Sequence, residues 1–446
     1  MGGYEHTVGL VLTAVMLALL LLRIPVAITL IGTGYAGMVL MLGRSETGLD
    51  FVHGAEAANT FLAKLAHSST ADYTFTTIPM FLLMGYVAAA SGFTGDVYNA
   101  ARVWLARIPG GLAVASAAGC AVFAAICGSS VATAAAMGRI AVPEMLDRGY
   151  EPKLACGVVA AAGTLGALIP PSILMILYGV FTEQSIAKLF VAGILPGLLS
   201  LAMYVLIVVV RVKFNPALAP TEPRMPWRAK FAALKGTWAM LLLLALVITG
   251  LYAGWFTPTE AGGIGAGTAV ILCVLARRLN RAKFMDALYD TLRNTSMLFA
   301  AIIGAYMVTS FTALTGITDG LTTWAAGFDV PRVVTMLSLS VLYILLGTFM
   351  GAVEMMLLTM PIVVPVVQGL GYDLIWFGVM MVKYMEIGLI SPPIGLNVFV
   401  IKGVVGGRVS LSEVFRGTYW FLAIDCVTLA LLIAFPEIAT FLPDLM

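Results

Sequence analysis

Two pairs of short segments carry groups able to hold a hard cation. The first pair is Gly128-Ser129-Ser130-Val131-Ala132-Thr133 and Gly166-Ala167-Leu168-Ile169-Pro170-Pro171-Ser172. Serine and threonine hydroxyls, together with main-chain carbonyls, are the hard oxygen ligands that Na⁺ takes. Glycine admits dihedrals and close approaches that other residues resist. The paired prolines remove two amide donors and disfavour helix at the preceding residue. Carbonyls around Gly166 and Ile169 therefore lose their helical partners, and in lipid they must find a cation, a hydroxyl or water. The second pair is Gly347-Thr348-Phe349-Met350-Gly351 and Gly388-Leu389-Ile390-Ser391-Pro392-Pro393-Ile394-Gly395-Leu396-Asn397. Each half should make one cation site. The half-helix N-termini after the breaks aim partial positive charge at the space between them, where a carboxylate fits. Gly128, Thr133, Pro171 and Ser172 from the first half, and Gly351, Glu354, Pro393 and Asn397 from the second, are the candidate contacts for that anion. Singly, each feature has a plainer reading, as a packing surface or a kink. Both together, twice, point to binding.

A few charged residues sit inside apolar stretches: Arg139, Glu354, Lys383, Glu386 and Asp425. Such residues are functional by default. Lys383 and Glu386 stand three apart on one helix and either neutralise each other or act in transport. Arg139 either touches the anion or snorkels to the surface. Glu354 is a ligand, a proton carrier or a local cap.

The elements that must position these groups are membrane helices. Of 446 residues, 61% are hydrophobic and 11% charged, where soluble domains carry about 25% charged residues. That length allows roughly ten to twelve spans of about 20 residues. Apolar segments run about 8–22, 24–43, 76–91, 153–180, 187–210, 236–256, 262–276, 294–315, 375–401 and 417–436. Regions 111–147 and 331–365 are apolar but interrupted, as re-entrant hairpins are, and 52–66 and 94–109 read as interfacial helices. The first apolar stretch lacks the basic lead and cleavage site of a signal peptide, so it reads as a retained helix. Five cysteines in apolar stretches show no metal spacing and read as packing residues. Basic clusters at 211–235 and 277–283 flank two spans and so share a side, the cytoplasm by the positive-inside rule. Arg23, Arg102, Arg107, Arg148, Lys153, Lys402, Arg408 and Arg416 fall on that side too. The loop at Thr257-Pro258-Thr259-Glu260, the loop holding Asp319 and Asp329, and both termini then lie outside.

The two halves repeat at a constant spacing of 222 residues. Pro143 matches Pro365, Gly149-Tyr150 matches Gly371-Tyr372, Gly166 matches Gly388, and Pro170-Pro171 matches Pro392-Pro393. The first turn carries Arg148 and Lys153, whereas the second carries Asp373, so the repeats are inverted. The expected architecture is an all-α polytopic membrane protein of inverted-topology repeats, each with a re-entrant helical hairpin and a broken transmembrane helix. Residues 1–210 form the first repeat, 211–235 a cytoplasmic linker and 236–446 the second. Inverted repeats in transporters place substrate and ion sites near the midplane.

These residues resemble a known family. Thr77-Ile78-Pro79-Met80-Phe81, Gly128-Ser129-Ser130-Val131-Ala132, Ile140-Ala141-Val142-Pro143-Glu144-Met145, Gly163-Thr164-Leu165-Gly166, Ala192-Gly193-Ile194-Leu195-Pro196-Gly197-Leu198, Phe256-Thr257-Pro258-Thr259-Glu260-Ala261 and Pro392-Pro393-Ile394-Gly395-Leu396-Asn397 are similar to the large (M, or DctM-type) subunit of tripartite ATP-independent periplasmic (TRAP) transporters. The resemblance implies an elevator mechanism, a transport domain moving against a scaffold, and Na⁺-coupled import of an organic acid anion. It implies two Na⁺ sites: Ser129, Ser130, Gly166 and Ile169 in the first, Gly347, Gly388, Ser391 and Ile394 in the second. It also implies a multi-pass protein of a bacterial or archaeal cytoplasmic (inner) membrane, amid membrane lipid. Its partners are a small Q-type membrane subunit, expected as a separate polypeptide, and a periplasmic substrate-binding protein, with no nucleic acid. Arg139 departs from the small or polar residue expected there and is a further candidate substrate contact. Two other readings remain: a stand-alone ion-coupled dicarboxylate symporter or antiporter of the related ion-transporter fold, and a membrane enzyme. No His/Glu metal pattern, Gly-x-Ser-x-Gly elbow or Walker loop supports an enzyme or ATP drive.

Overall fold

The computed structural model describes residues 2–22, 24–45, 48–220, 225–318, 320, 323 and 332–446. Arg23, Arg224, Asp319 and Asp329 lie outside the described residues. Helices α1 (Gly2–Leu21), α2 (Val26–Leu42), α3 (Phe51–Ala71), α4 (Thr77–Ala90) and α5 (Phe93–Leu105) precede a first helix–break–helix hairpin, α6 (Gly111–Cys127) and α7 (Ser130–Asp147). A broken helix follows, α8 (Pro152–Leu168) and α9 (Ile173–Phe181), then α10 (Ile186–Phe214), α11 (Trp227–Tyr252), α12 (Pro258–Leu275) and α13 (Arg281–Thr315). The second hairpin is α14 (Arg332–Gly347) and α15 (Ala352–Gly369), the second broken helix α16 (Leu374–Ile390) and α17 (Leu396–Val405), before α18 (Leu411–Ala434) and a short α19 (Glu437–Thr440). Among the described residues, eight helical segments are long and apolar enough to cross a membrane. A two-residue ladder, Arg44–Ser45 against Gly48–Leu49, is the one departure from helix as regular structure there.

The repeat is visible in individual hydrogen bonds. Tyr150 N–H donates to Met145 carbonyl and Tyr372 N–H to Val367 carbonyl; Gly149 N–H donates to Leu146 carbonyl and Gly371 N–H to Gln368 carbonyl. Gly149 (φ 80°) and Gly371 (φ 73°) both take the left-handed backbone that closes such helix ends. Pro170-Pro171 and Pro392-Pro393 are both cis.

The charged helix ends meet on one face. Arg102 pairs with Glu144 at 2.8 Å, Arg148 with Glu144 at 3.0 Å, Arg211 with Glu151 at 3.5 Å and Arg408 with Asp147 at 3.1 Å. Arg278 pairs with Asp96, and Lys230 lies over the Trp227 and Trp104 rings. The loops grouped by charge in the sequence are thus grouped in space. The Gly149-Tyr150 turn sits on this face, where the Tyr150 hydroxyl accepts from Leu112 N–H at the start of α6. The Gly371-Tyr372 turn sits on the other. Trp376, at the start of α16, donates to Leu432 carbonyl at the far end of α18, and Tyr178 near the end of α9 donates to Leu374 carbonyl. The repeats are therefore inverted.

The described part of the basic stretch 211–235 is mostly helical. Arg211 and Lys213 close α10, and Arg228, Lys230 and Lys235 lie within α11. Long basic side chains carry their charge to the surface while their stems stay on the helix, so charge does not end a helix. Elsewhere small residues let helices touch. An added Cβ at Gly34 would stand 2.7 Å from Met307 Cβ, joining α2 to α13; one at Gly265 would stand 2.6 Å from Met84 Sδ, joining α12 to α4. In lipid, where apolar burial drives little, such close packing is the main source of helix association.

Candidate functional site

A cavity of about 250 Å³ lies where the two hairpin tips converge. The first tip contributes Gly128, Ser129, Ser130 and Val131, and the second Gly351, Ala352, Val353 and Glu354. Both broken helices border it, through Ala167 and Ile173 and through Leu389 and Leu396. Its far wall is Tyr86 of α4 and Asn294, Met297 and Leu298 of α13. The Asn294 amide donates to the Tyr86 hydroxyl at 2.9 Å.

At the first tip Gly128 (φ 63°) ends α6 and accepts a hydrogen bond from Ile173 N–H at 3.2 Å. A Cβ at Gly128 would stand 2.7 Å from the Pro171 carbonyl oxygen. Hairpin and broken helix thus interlock through main chain. One at Gly166 would stand 2.6 Å from Ser129 O and 2.7 Å from Thr133 Oγ1. The Ser130 hydroxyl donates to Thr164 carbonyl at 3.3 Å. The Thr133 hydroxyl is fully buried and finds no partner among the described residues. Burying a hydroxyl unpaired costs about 1–3 kcal/mol, so an orphan oxygen beside a carbonyl and a second hydroxyl fits a hard cation. Ile169 closes α8, donating its N–H to Leu165 carbonyl.

At the second tip the contact is glycine on glycine. A Cβ on Gly347 would stand 2.6 Å from Gly388 Cα, and one on Gly388 2.7 Å from Gly347 Cα. Ser391 caps α16, its hydroxyl donating to Ile387 carbonyl at 2.7 Å. Ile394 is half-buried in the break. The Thr348 hydroxyl already donates to Leu345 carbonyl at 2.6 Å.

Six candidate substrate contacts do not line the cavity. Arg139 is exposed along α7, nine residues past the tip, where a charge finds solvent or headgroups more cheaply than the dry interior. Asn397 is buried, but its amide donates to Ala160 carbonyl of α8 at 3.2 Å, which ties the halves together. Pro393 is exposed on the outer side of its break. The Pro171 carbonyl faces Gly128, and the Ser172 hydroxyl caps α9 and donates to Ala167 carbonyl. Thr133 sits behind the cavity wall, beside Gly166. Conversely, Tyr86 and Asn294 are missing from the sequence reading. Asn294 stands at the edge of one apolar stretch and Tyr86 inside another, and neither is marked by its neighbours.

Lys383 and Glu386 are not a self-contained pair. The Lys383 ammonium lies 2.7 Å from Asp425 of α18, 3.0 Å from Glu386 and 3.1 Å from the Ser200 hydroxyl of α10. Tyr204 of α10 donates to the Asp425 carboxylate at 2.9 Å. All three charged side chains are fully buried. The cluster pins α16 to α10 and α18.

The sequence profile of the Tripartite ATP-independent periplasmic transporter, DctM component, matches residues 13–438. The chain belongs to this family. The C4-dicarboxylate TRAP transporter large permease protein DctM of Pseudomonas aeruginosa is 35% identical over 90% of this chain and 93% of its own length. The isethionate TRAP transporter permease protein DctMQ of Oleidesulfovibrio alaskensis is 32% identical over 93% of this chain and 66% of its own. The ectoine/5-hydroxyectoine TRAP transporter large permease protein UehC of Ruegeria pomeroyi is 30% identical over 96% of this chain and 97% of its own. Among solved structures, the Alcanivorax borkumensis YdaH transporter shares the fold, with a TM-score of 0.65 over 94% of this chain and 99% of that one at 14% identity. As a DctM component, the chain is a membrane transporter subunit and not an enzyme. Its family works with a small membrane subunit and a periplasmic binding protein.

Proposed function

We propose that this DctM component drives Na⁺-coupled import of an organic acid anion, handed over by a periplasmic substrate-binding protein and supported by a small Q-type subunit. The observation that carries the sodium reading is the first tip, where the orphan Thr133 hydroxyl and the Ser129 carbonyl crowd Gly166 and the Ser130 hydroxyl reaches the Thr164 carbonyl. Ser129, Ser130, Gly166 and Ile169 form the first Na⁺ site, and Gly347, Gly388, Ser391 and Ile394 the second. Substrate occupies the cavity between the tips. The hairpins and broken helices, α6–α9 and α14–α17, move as an elevator-type transport domain. The rest is scaffold, including the Tyr86–Asn294 wall. Both termini face the periplasm, with the charged helix ends in the cytoplasm. The relatives named for a C4-dicarboxylate, isethionate and ectoine share no single substrate, so the anion stays at the level of an organic acid.

Uptake into proteoliposomes holding the full complex tests this. Transport requires an inward Na⁺ gradient and the binding protein, and Ser129→Ala/Ser130→Ala weakens its Na⁺ dependence without loss of membrane insertion. Uptake by the large subunit alone contradicts the tripartite reading. An unchanged Na⁺ dependence removes the first site.

A further inference from the structure

The two hairpin tips that close the cavity are equivalent in backbone and opposite in chemistry. Helices α7 and α15 begin 222 residues apart, at Ser130 and Ala352, and the third helical position is Ala132 in the first and Glu354 in the second. The first tip offers the Ser129 hydroxyl and the uncapped start of α7, both suited to an anion, while the Ser130 hydroxyl is engaged with the Thr164 carbonyl. The second offers no hydroxyl to the cavity. Gly351 lets the Glu354 carboxylate fold over the start of α15, for a Cβ there would collide with Glu354 Oε2. Glu354 is the one acidic side chain among the described cavity-lining residues, and no ion pair partners it among the described residues. The opposite wall supplies only the neutral Asn294 and Tyr86. A half-buried carboxylate with no cationic side chain across the cavity pairs best with a cation that the ligand itself brings.

Resting on the cavity as the substrate site, we infer that the substrate is dipolar: a carboxylic acid that also carries a cationic nitrogen. Its carboxylate lies at the Ser129–Ser130 tip and its ammonium or amidinium group at Glu354. A simple dianion of the same length presents a second negative charge to Glu354 and is selected against.

Matched probes separate the two possibilities. 4-Aminobutyrate and succinate, and 5-aminovalerate and glutarate, differ in little but the charge at one end. Binding of each to the complete membrane complex in nanodiscs, with saturating Na⁺, is measured by calorimetry. The expected result is at least a tenfold preference for the amino acid of each pair. Glu354→Gln should cut that preference tenfold or more while leaving Na⁺ binding and thermal unfolding as in the native protein. A preference for the dianions, or a preference that Glu354→Gln does not move, overturns the dipolar substrate and leaves the cavity reading standing. Binding of none of the four overturns the cavity reading, and the dipolar substrate falls with it.

Discussion

The two proline-pair breaks share sequence and local hydrogen bonding, yet their surroundings differ. Pro170 and Pro171 are buried, and they line a small pocket together with Phe190 of α10 and Val247 and Leu251 of α11. Pro392 and Pro393 are exposed, as are Leu396 and Phe349 around them. The broken helices also differ in what anchors them. α8 is packed by small residues, with Gly157 against the Gly417 main chain. α16 is anchored by the Lys383–Asp425–Glu386 charges. One motif used twice thus gives one half closed by apolar packing and one half open at the break and fixed by ions. The rigid, enclosed half suits a site whose geometry must be kept. The open half suits a tip that must yield.

The sharpest way to break this comparison is at the charges. Lys383→Met leaves two buried carboxylates without their cation, a change that costs about 3–5 kcal/mol. The expected outcome is a large fall in thermal unfolding temperature and loss of folded complex. Replacing the whole cluster, Lys383→Met with Asp425→Asn and Glu386→Gln, should restore much of the stability, since removal of a complete buried ion network is often near neutral. A Lys383→Met protein that unfolds like the native one shows that ions do not anchor the second half.

Next come the two glycine contacts. Gly166→Ala places a methyl within 2.6 Å of Ser129 O and 2.7 Å of Thr133 Oγ1. Overpacking of that kind costs about 1–3 kcal/mol, so Na⁺ affinity should fall roughly 10- to 100-fold. Gly388→Ala meets Gly347 Cα at 2.7 Å in a buried contact, but Phe349 two residues on is exposed, which lets the second tip shift. Its loss should be several-fold smaller. Equal losses in Na⁺ titrations of the two variants would show that both tips are equally rigid.

The sequence carried the repeat because proline and glycine act on their own backbone. Pro170-Pro171 and Gly149 do the same thing wherever they stand, so spacing alone located both breaks and both turns. The gathering of charge was legible for a similar reason, since Arg102, Arg148, Arg211 and Arg408 meet on one face of the bundle. Partners of side chains were not legible. Lys383 meets Asp425 across 42 residues and Ser200 across 183, and Asn397 meets Ala160 across 237. Nothing local in the chain announces such contacts. Burial is the other blind spot: equal proline pairs carry no mark that α11 covers one and not the other. The Arg139 and Pro393 side chains lie outside the cavity for the same reason, because helix rotation is set by packing and not by nearness in sequence.

The smallest predicted effect separates the two tips by a single hydroxyl. Thr133 and Thr348 are each the threonine of their hairpin segment, each buried. The Thr348 hydroxyl is satisfied by Leu345 carbonyl, as threonines in helices often are. The Thr133 hydroxyl is satisfied by nothing among the described residues and faces the crowded oxygens at Gly166. Valine keeps the shape of either side chain and removes the oxygen. If Thr133 is a cation ligand in waiting, Thr133→Val removes about one ligand interaction, roughly 1 kcal/mol or a five- to tenfold rise in the Na⁺ concentration for half-maximal uptake. Thr348→Val loses only a neutral hydrogen bond to its own helix, so its Na⁺ dependence should stay within about twofold of native. A rise for Thr348→Val and none for Thr133→Val would move the better-formed cation site to the second half and reverse the comparison.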